Sequence, residues 1–125
     1  MRVVHFSSAE PEQPGPGVQV RKLIAESLGD GVGSYLGYSQ FSPGTVSEPL
    51  SHDCEELAFI TKGYGELRGD DGMVPFAPFD SLHIPKGSWH WIANTGAVDV
   101  EMAFFFPTPD RPRTEHRSGE DFTRG

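Results

Sequence analysis

Three side chains in the middle of the chain are of types that bind divalent metals: His52, Glu56 and His90. Neutral imidazole nitrogens and carboxylate oxygens are good ligands for first-row divalent ions. His52 and Glu56 are four residues apart, and side chains separated by an even number of residues share one face of a strand. His90 follows Pro85-Lys86-Gly87, a tight turn that can bring it back beside the first two. We therefore predict that the three side chains meet at one site.

Two histidines and one carboxylate on one side of a metal leave about three of six coordination positions open for water, O₂ or substrate. This set predicts one divalent metal ion, with Fe(II) favoured and Mn, Ni, Co or Zn as alternatives. The spacing alone is also compatible with two solvated surface residues and a structural histidine. The surrounding sequence has to decide between these interpretations.

Two further side chains are candidates for proton transfer. His83 lies on a short predicted strand, where it would be an acid, a base or a fourth ligand if it faced inward, and a surface residue if it faced outward. We take His83 as the first candidate for a catalytic base and Tyr38 as the second. Cys54, two residues from His52, is interpreted as a buried and inert thiol.

The composition favours short strands over helices. Fifteen glycines and eleven prolines in 125 residues argue against a helical bundle, because both residues interrupt helices. Apolar runs bounded by Gly, Pro and Asp predict about eight strands, and hence an all-β sandwich or barrel with little or no helix. The predicted strands are 18–24, 35–41, 57–61, 64–68, 73–76, 81–84, 89–93 and 98–106.

For two of these strands the sequence also predicts which faces are buried. The segment Leu57–Thr61 is apolar at successive positions, which predicts that it is covered on both faces. The last strand should bury one face by its period of two. That face consists of Val100, Met102, Phe104 and Phe106.

The length of the chain fits one domain. We divide it into an N-terminal strand with a Pro/Gly-rich connector (1–17), a barrel (18–106) and a polar C-terminal tail (107–125). A formal net charge of −8 without a basic stripe argues against nucleic acid and anionic membranes as partners, so a small-molecule substrate is expected. One cysteine, no signal-peptide pattern and no long apolar run predict a cytoplasmic protein.

The residues around the candidate ligands resemble a known family. From Gly44 to Gly63 the chain follows the spacing of the first cupin motif, G-x5-H-x-H-x3-E-x6-G, with Leu50 in place of its first His. The segment from Pro85 to Asn94 is similar to the second cupin motif, P-x-G-x2-H-x3-N. Both motifs occur in order, at the separation usual in small single-domain bacterial cupins, and the chain resembles that group.

The resemblance implies that residues 18–106 form an antiparallel jelly-roll β-barrel, often a homodimer, with one metal near its centre. It carries over three metal ligands, which are His52, Glu56 and His90. The chain departs from the motifs at two positions. Leu50 replaces the first metal-binding His, and Phe79 replaces a Gly that precedes a strand.

The resemblance and the ligand types together predict a metal-dependent enzyme that acts on an oxygen-rich small organic substrate, as a dioxygenase, an isomerase or a lyase. The alternative is a non-catalytic cupin that binds a small ligand and has a metal site degraded at Leu50. A structural dimer subunit is a third hypothesis, against which the motif around His52 and Glu56 argues. Fold alone does not select the reaction.

Overall fold

The computed structural model describes residues 1–117, and strands make up about half of this part of the chain. Its only helical segments are two 3₁₀ turns, Phe6–Ser8 and Glu26–Leu28. All eight predicted strands are present, with bounds shifted by no more than two residues. The strands are β1 (Glu12–Gly15), β2 (Val18–Ile24), β3 (Tyr35–Phe41), β4 (Leu50–His52), β5 (Glu56–Lys62), β6 (Gly65–Gly69), β7 (Gly72–Phe76), β8 (Ser81–Ile84), β9 (His90–Asn94), β10 (Val100–Phe106) and β11 (Thr114–His116).

The strands form two antiparallel sheets. Six strands follow the order β1-β2-β3-β10-β5-β8, and five follow the order β11-β4-β9-β6-β7. Strands distant in the chain are neighbours in both sheets, for example β3 with β10 and β4 with β9. This is the antiparallel jelly-roll barrel with little helix that the sequence predicts, and the fold prediction is confirmed.

The core lies between the sheets and is built by strands that alternate buried and more exposed residues. β3 buries every second residue from Tyr35 to Phe41. Gly37 on this strand leaves the space that the Phe104 ring occupies, because a Cβ at that position would meet the ring. The predicted buried face of β10 is confirmed for Val100, Met102, Phe104 and Phe106.

The outer face of β5 is more open than the sequence predicts. Ala58 and Ile60 are buried, whereas Leu57 and Phe59 are 42% and 43% exposed. The expectation that Leu57–Thr61 is covered on both faces is therefore wrong for the described chain. The reason is that β5 lies within one sheet whose inner face alone packs on the core.

The two ends of the described chain pack onto the barrel. β1 lies inside the Pro/Gly-rich segment and pairs with β2, while residues 1–5 form no strand and Phe6–Ser8 form a 3₁₀ turn. In the predicted tail, β11 pairs with β4; residues 118–125 of that tail lie outside the described residues. Within residues 1–117, no helix has the length and apolar character needed to cross a membrane.

Phe79, at the position where the cupin motif has a glycine, has a backbone conformation that favours glycine. Its φ is 74°, in the left-handed region, and its side chain is 74% exposed. Residues with a Cβ rarely adopt this conformation because of steric conflict with the backbone. The turn before β8 thus persists without its glycine, at the cost of local strain.

Candidate metal centre and cavity

Three strands bring the candidate metal ligands together inside the barrel. His52 ends β4, Glu56 begins β5 and His90 begins β9. The turn before His90 is tied to His52, because the Gly87 amide donates a hydrogen bond to the His52 carbonyl at 2.8 Å. Gly87 has a φ of 79°, which glycine adopts without strain.

One carboxylate oxygen lies between the two imidazole rings. Glu56 Oε1 is 3.3 Å from Nε2 of His52 and 3.3 Å from Nε2 of His90. The three ligand atoms all lie within 4.8 Å of one another. The side chains of His52, Glu56 and His90 are 8%, 12% and 11% exposed. Two nitrogens and one oxygen in this arrangement fit a divalent metal ion.

The other ring nitrogen of each histidine contacts an oxygen atom. His90 Nδ1 is 2.9 Å from the carbonyl oxygen of Ser88, which can only accept, so a proton lies on Nδ1 and Nε2 is the nitrogen that faces Glu56. His52 Nδ1 is 2.8 Å from the hydroxyl of Thr114. Such outer contacts are typical of metal-binding histidines.

Glu56 and His90 stabilise each other's charged forms in the metal-free protein. Burial acts to raise the pKa of Glu56, but hydrogen bonds with His52 and His90 outweigh it and the pKa lies below 4.5. Burial acts to lower the pKa of His90, but the hydrogen bond and the charge of Glu56 outweigh it and the pKa lies above 6.5. A metal ion binding here displaces protons, because imidazole binds metals in its neutral form.

The three ligands line a cavity of about 1030 Å³. This volume is at the upper end of the range for small-molecule sites. The His52 ring packs against Phe106 at 4.8 Å between centroids, and Phe106 stacks on Tyr35 at 5.9 Å. Aromatic and aliphatic side chains from both sheets form most of the wall, among them Phe41, Ile84, Trp91, Met102 and Phe104.

A second polar group, made of Tyr35, Arg111 and Glu12, also lines the cavity. Arg111 forms an ion pair with Glu12 and a hydrogen bond with Tyr35. Burial raises the pKa of Tyr35 above 10, so its hydroxyl is neutral at ordinary pH and can hydrogen-bond to an oxygen of a ligand. Sequence reasoning misses Arg111 and Thr114, because no pattern marks them within the segment interpreted as a tail.

Leu50 lies where the cupin motif has its first histidine, and it is an apolar part of the cavity wall. It is paired in register with His90 and is two residues from His52 on the same strand. A histidine here would add a nitrogen ligand, whereas the leucine leaves this side of the triad without one. The site therefore offers three ligands from the described chain.

The two predicted proton-transfer residues lie outside the cavity. His83 is exposed on β8 and pairs with Glu55 at 2.9 Å. Tyr38 lies on the outer face of β3, where its hydroxyl donates to Glu101 at 2.9 Å. Their catalytic roles stay predictions. Cys54 is only partly buried, which corrects the prediction of a buried thiol, but it packs against the core and burial raises its pKa, which agrees with an inert thiol.

The chain belongs to the cupin family, since the family model for the cupin domain matches residues 37–106. Protein SchB of Streptomyces halstedii is 30% identical over 122 residues, which cover 96% of this chain and 88% of that protein. The 5-nitrosalicylic acid 1,2-dioxygenase of Bradyrhizobium sp. is 31% identical over 81 residues, 63% of this chain and 39% of the enzyme.

A solved structure with the same fold is that of the polyketide cyclase RemF from Streptomyces resistomycificus. It superposes with a TM-score of 0.83 at 21% sequence identity and covers 100% of this chain and 94% of its own. The match is therefore not confined to the part of the chain that the family model covers.

Proposed function

We propose that this cupin is a metal-dependent enzyme that closes a ring in a large substrate carrying several ketone or hydroxyl oxygens, such as a poly-β-ketone chain. The observation that carries the proposal is the position of the His52–Glu56–His90 triad in the wall of a mainly apolar cavity of about 1030 Å³. A metal there would bind the oxygen atoms of the substrate while the rest of the cavity holds its carbon skeleton.

The wall of the cavity supports a flat or extended substrate. Tyr35, Phe104 and Phe106 form a run of contacting rings, and the ring of His52 adjoins Phe106. Aromatic rings favour offset or edge-on contact with other π systems. A substrate lying along this wall would extend from the metal ligands toward Tyr35.

The lengths over which two similar proteins match this chain are the ground for placing ring closure before oxygenation. RemF, a polyketide cyclase, matches this chain over nearly the whole length of both proteins. The dioxygenase relative is matched over 39% of its length, so its activity involves a much larger protein.

Ring closure of a poly-β-ketone needs no oxidant. A carbon between two ketones loses a proton, and its electron pair forms a bond to a ketone carbon further along the chain. That ketone oxygen takes up a proton, and loss of water then gives an aromatic ring. When bound, the metal supplies the Lewis acidity that polarises a substrate carbonyl and stabilises negative charge on oxygen.

The chain's own residues would hold the substrate in one folded conformation. The apolar wall excludes water, and the Tyr35 hydroxyl, held by Arg111, donates a hydrogen bond to a substrate oxygen at its end of the cavity. Fixing one conformation is the main requirement, because a free poly-β-ketone closes into several rings. Positioning of reacting carbons alone accelerates such intramolecular steps by large factors.

A second candidate is a ring-cleaving dioxygenase. Two histidines and one glutamate leave about three positions open on an iron ion, enough for substrate and O₂. In that reaction both atoms of O₂ enter the product, so consumption of O₂ separates it from ring closure. The third candidate, a binding protein without turnover, would hold the same ligand and leave it unchanged.

The test supplies the metal-loaded protein with a poly-β-ketone chain made in situ by a polyketide synthase. Products are separated and identified by mass spectrometry, with and without O₂. We expect the wild-type protein to replace the spontaneous product mixture by one ring pattern, in the absence of O₂. His52→Ala should lose this effect, and the exposed His5 provides the control variant His5→Ala.

The outcomes separate the candidates. A product mixture that the wild-type protein leaves unchanged, after loading with Fe(II), Mn(II), Ni(II) and Zn(II) in turn, would contradict the cyclase proposal. Products that form only with O₂ would favour the dioxygenase. Tight binding of a ring product from the spontaneous mixture, with no turnover of either kind, would favour the binding protein.

The homodimer expected from the resemblance is part of the proposal. Leu57 and Phe59 are half exposed on the outer face of β5, and adjacent apolar side chains of this kind support a protein interface. Light scattering should give the mass of a dimer for the wild-type chain. The variant Leu57→Asp should shift the mass toward that of a monomer, and an unchanged dimer would place the interface elsewhere.

A further inference from the structure

The C-terminal segment from Pro107 to Arg117, here called the C-terminal arm, reaches the metal ligands. Its strand β11 pairs with β4 so that Thr114 is directly opposite His52. Directly opposed residues in an antiparallel pair have their side chains on the same face, close enough to touch. The register therefore brings the Thr114 hydroxyl to the His52 ring, 62 residues earlier in the chain.

The Thr114 hydroxyl has two neighbours and one proton. It donates to the Pro112 carbonyl at 3.0 Å and lies 2.8 Å from His52 Nδ1. A carbonyl oxygen can only accept, so the hydroxyl proton points to Pro112. The hydroxyl oxygen then accepts a hydrogen bond, and the donor facing it is His52 Nδ1–H.

We propose that Thr114 is a positioning residue that fixes His52 in the tautomer protonated on Nδ1, and that the docked C-terminal arm thereby completes the metal site. With a proton held on Nδ1, the ring nitrogen that faces Glu56 is Nε2, 3.3 Å away. This is the nitrogen that a metal between the three ligands would bind. In the opposite tautomer an N–H is directed at the metal position, so the proton must move before a metal binds and the metal affinity falls.

Both histidine ligands carry a proton on Nδ1, but different contacts hold it there. His90 is oriented by the Ser88 carbonyl, two residues away within its own turn. His52 depends on a strand at the other end of the sequence. Metal affinity is consequently coupled to docking of the arm, and by linkage the metal stabilises the docked arm to the same extent.

The arm has anchors on both sides of Thr114 that do not involve the metal ligands. Asp110 forms an ion pair with Lys22 at 2.5 Å, and the Pro109 carbonyl accepts from the Glu26 amide at 2.7 Å. The Arg117 guanidinium lies 4.4 Å from the centre of the Trp89 ring. Removing the Thr114 hydroxyl should therefore leave the arm docked and change only the His52 ring.

The experiment compares Thr114→Val, Thr114→Ser and Thr108→Val. Valine matches threonine in shape without the hydroxyl, and serine keeps the hydroxyl. Thr108 is in the same arm, and its hydroxyl donates to the Asp110 carbonyl, so its variant makes the same chemical change away from the site. Zn(II) affinity is measured by competition with a chelator, and the tautomer of His52 by ¹H–¹⁵N NMR of the neutral ring.

We expect Thr114→Val to weaken Zn(II) binding by about 10- to 100-fold, as other losses of outer contacts do. Thr114→Ser and Thr108→Val should bind like the wild type. The spectrum of the wild-type protein should show His52 protonated on Nδ1, and that of Thr114→Val a mixture of tautomers. Metal should also slow hydrogen exchange in β11.

Two results would overturn the inference. One is wild-type Zn(II) affinity in Thr114→Val, and the other is a neutral His52 protonated on Nε2 in the wild-type protein. The spectrum is taken on metal-free protein, so it decides the role of Thr114 even where Thr114→Val does not fold. It also separates this inference from the proposed function, which would fail if the wild-type protein bound no metal.

Discussion

Binding of a divalent metal to the His52–Glu56–His90 triad is expected to strengthen as the pH rises, because metal and protons compete for the same atoms. Burial disfavours the charged His90 ring, but Glu56 outweighs it and raises the pKa of His90 above 6.5. One proton must leave His90 when a metal binds its neutral ring. The dissociation constant should fall about tenfold per pH unit below this raised pKa and level off above it.

The size of the effect on stability follows from mass action. Metal present at about 1,000 times its dissociation constant stabilises the folded state by about 4.1 kcal/mol, and at about 100 times by about 2.7 kcal/mol. For a chain of this length, 1 kcal/mol shifts the melting temperature by roughly 3–5 °C. A decrease of one pH unit should therefore reduce the stabilisation by metal by about 4–7 °C.

The metal-free protein should respond to pH in a different way. The raised pKa of His90 means that its contribution to stability is present below 6.5 and is lost as the pH rises through the raised value. The lowered pKa of Glu56 means that its contribution is present above 4.5 and is lost as the pH falls through the lowered value. Together they stabilise the metal-free fold most between pH 4.5 and 6.5.

Thermal unfolding followed by circular dichroism, with Zn(II) and with a chelator, measures both effects across this pH range. Glu56→Gln should abolish the pH-dependent gain from metal. Glu66→Gln is the matched control, because Glu66 is also a mostly buried carboxylate but pairs with Arg68 away from the cavity. A gain from metal that is the same at every pH, or equal in Glu56→Gln and the wild type, would refute the reasoning.

Three further predictions concern single residues. Leu50→His should supply a fourth metal ligand at the position of the cupin motif's first histidine. Zn(II) binding should then tighten by about tenfold or more in competition with a chelator. Unchanged affinity would mean that position 50 does not face the metal. His83→Ala should keep enzyme activity within about twofold, because His83 is exposed on the outer face of its sheet. A loss of activity as large as that in His52→Ala would establish His83 as the predicted base. Gly37→Ala should lower the free energy of unfolding by about 1–3 kcal/mol in urea titration, because the new Cβ meets the Phe104 ring; unchanged stability would show that the ring moves aside freely.

The ligand triad shows what local sequence patterns can predict about a site and what they cannot. Spacing and residue type are enough to select His52, Glu56 and His90, because a motif encodes the turn before His90 and the strand positions of the other two. They do not determine which face His83 and Tyr38 occupy. Both belong to alternating strands, and alternation defines two faces without identifying the inner one.

The sequence by itself determined the fold class, the strands of the barrel and the metal-binding residue types, because these depend on periodicity and on short spacings within the chain. Only the tertiary structure decided what surrounds the triad. Thr114 and Arg111 reach the cavity through the pairing of β11 with β4 and the docking of the C-terminal arm. Contacts between segments more than 60 residues apart do not show in the hydrophobic periodicity of either segment. They arise from the closure of the barrel as a whole.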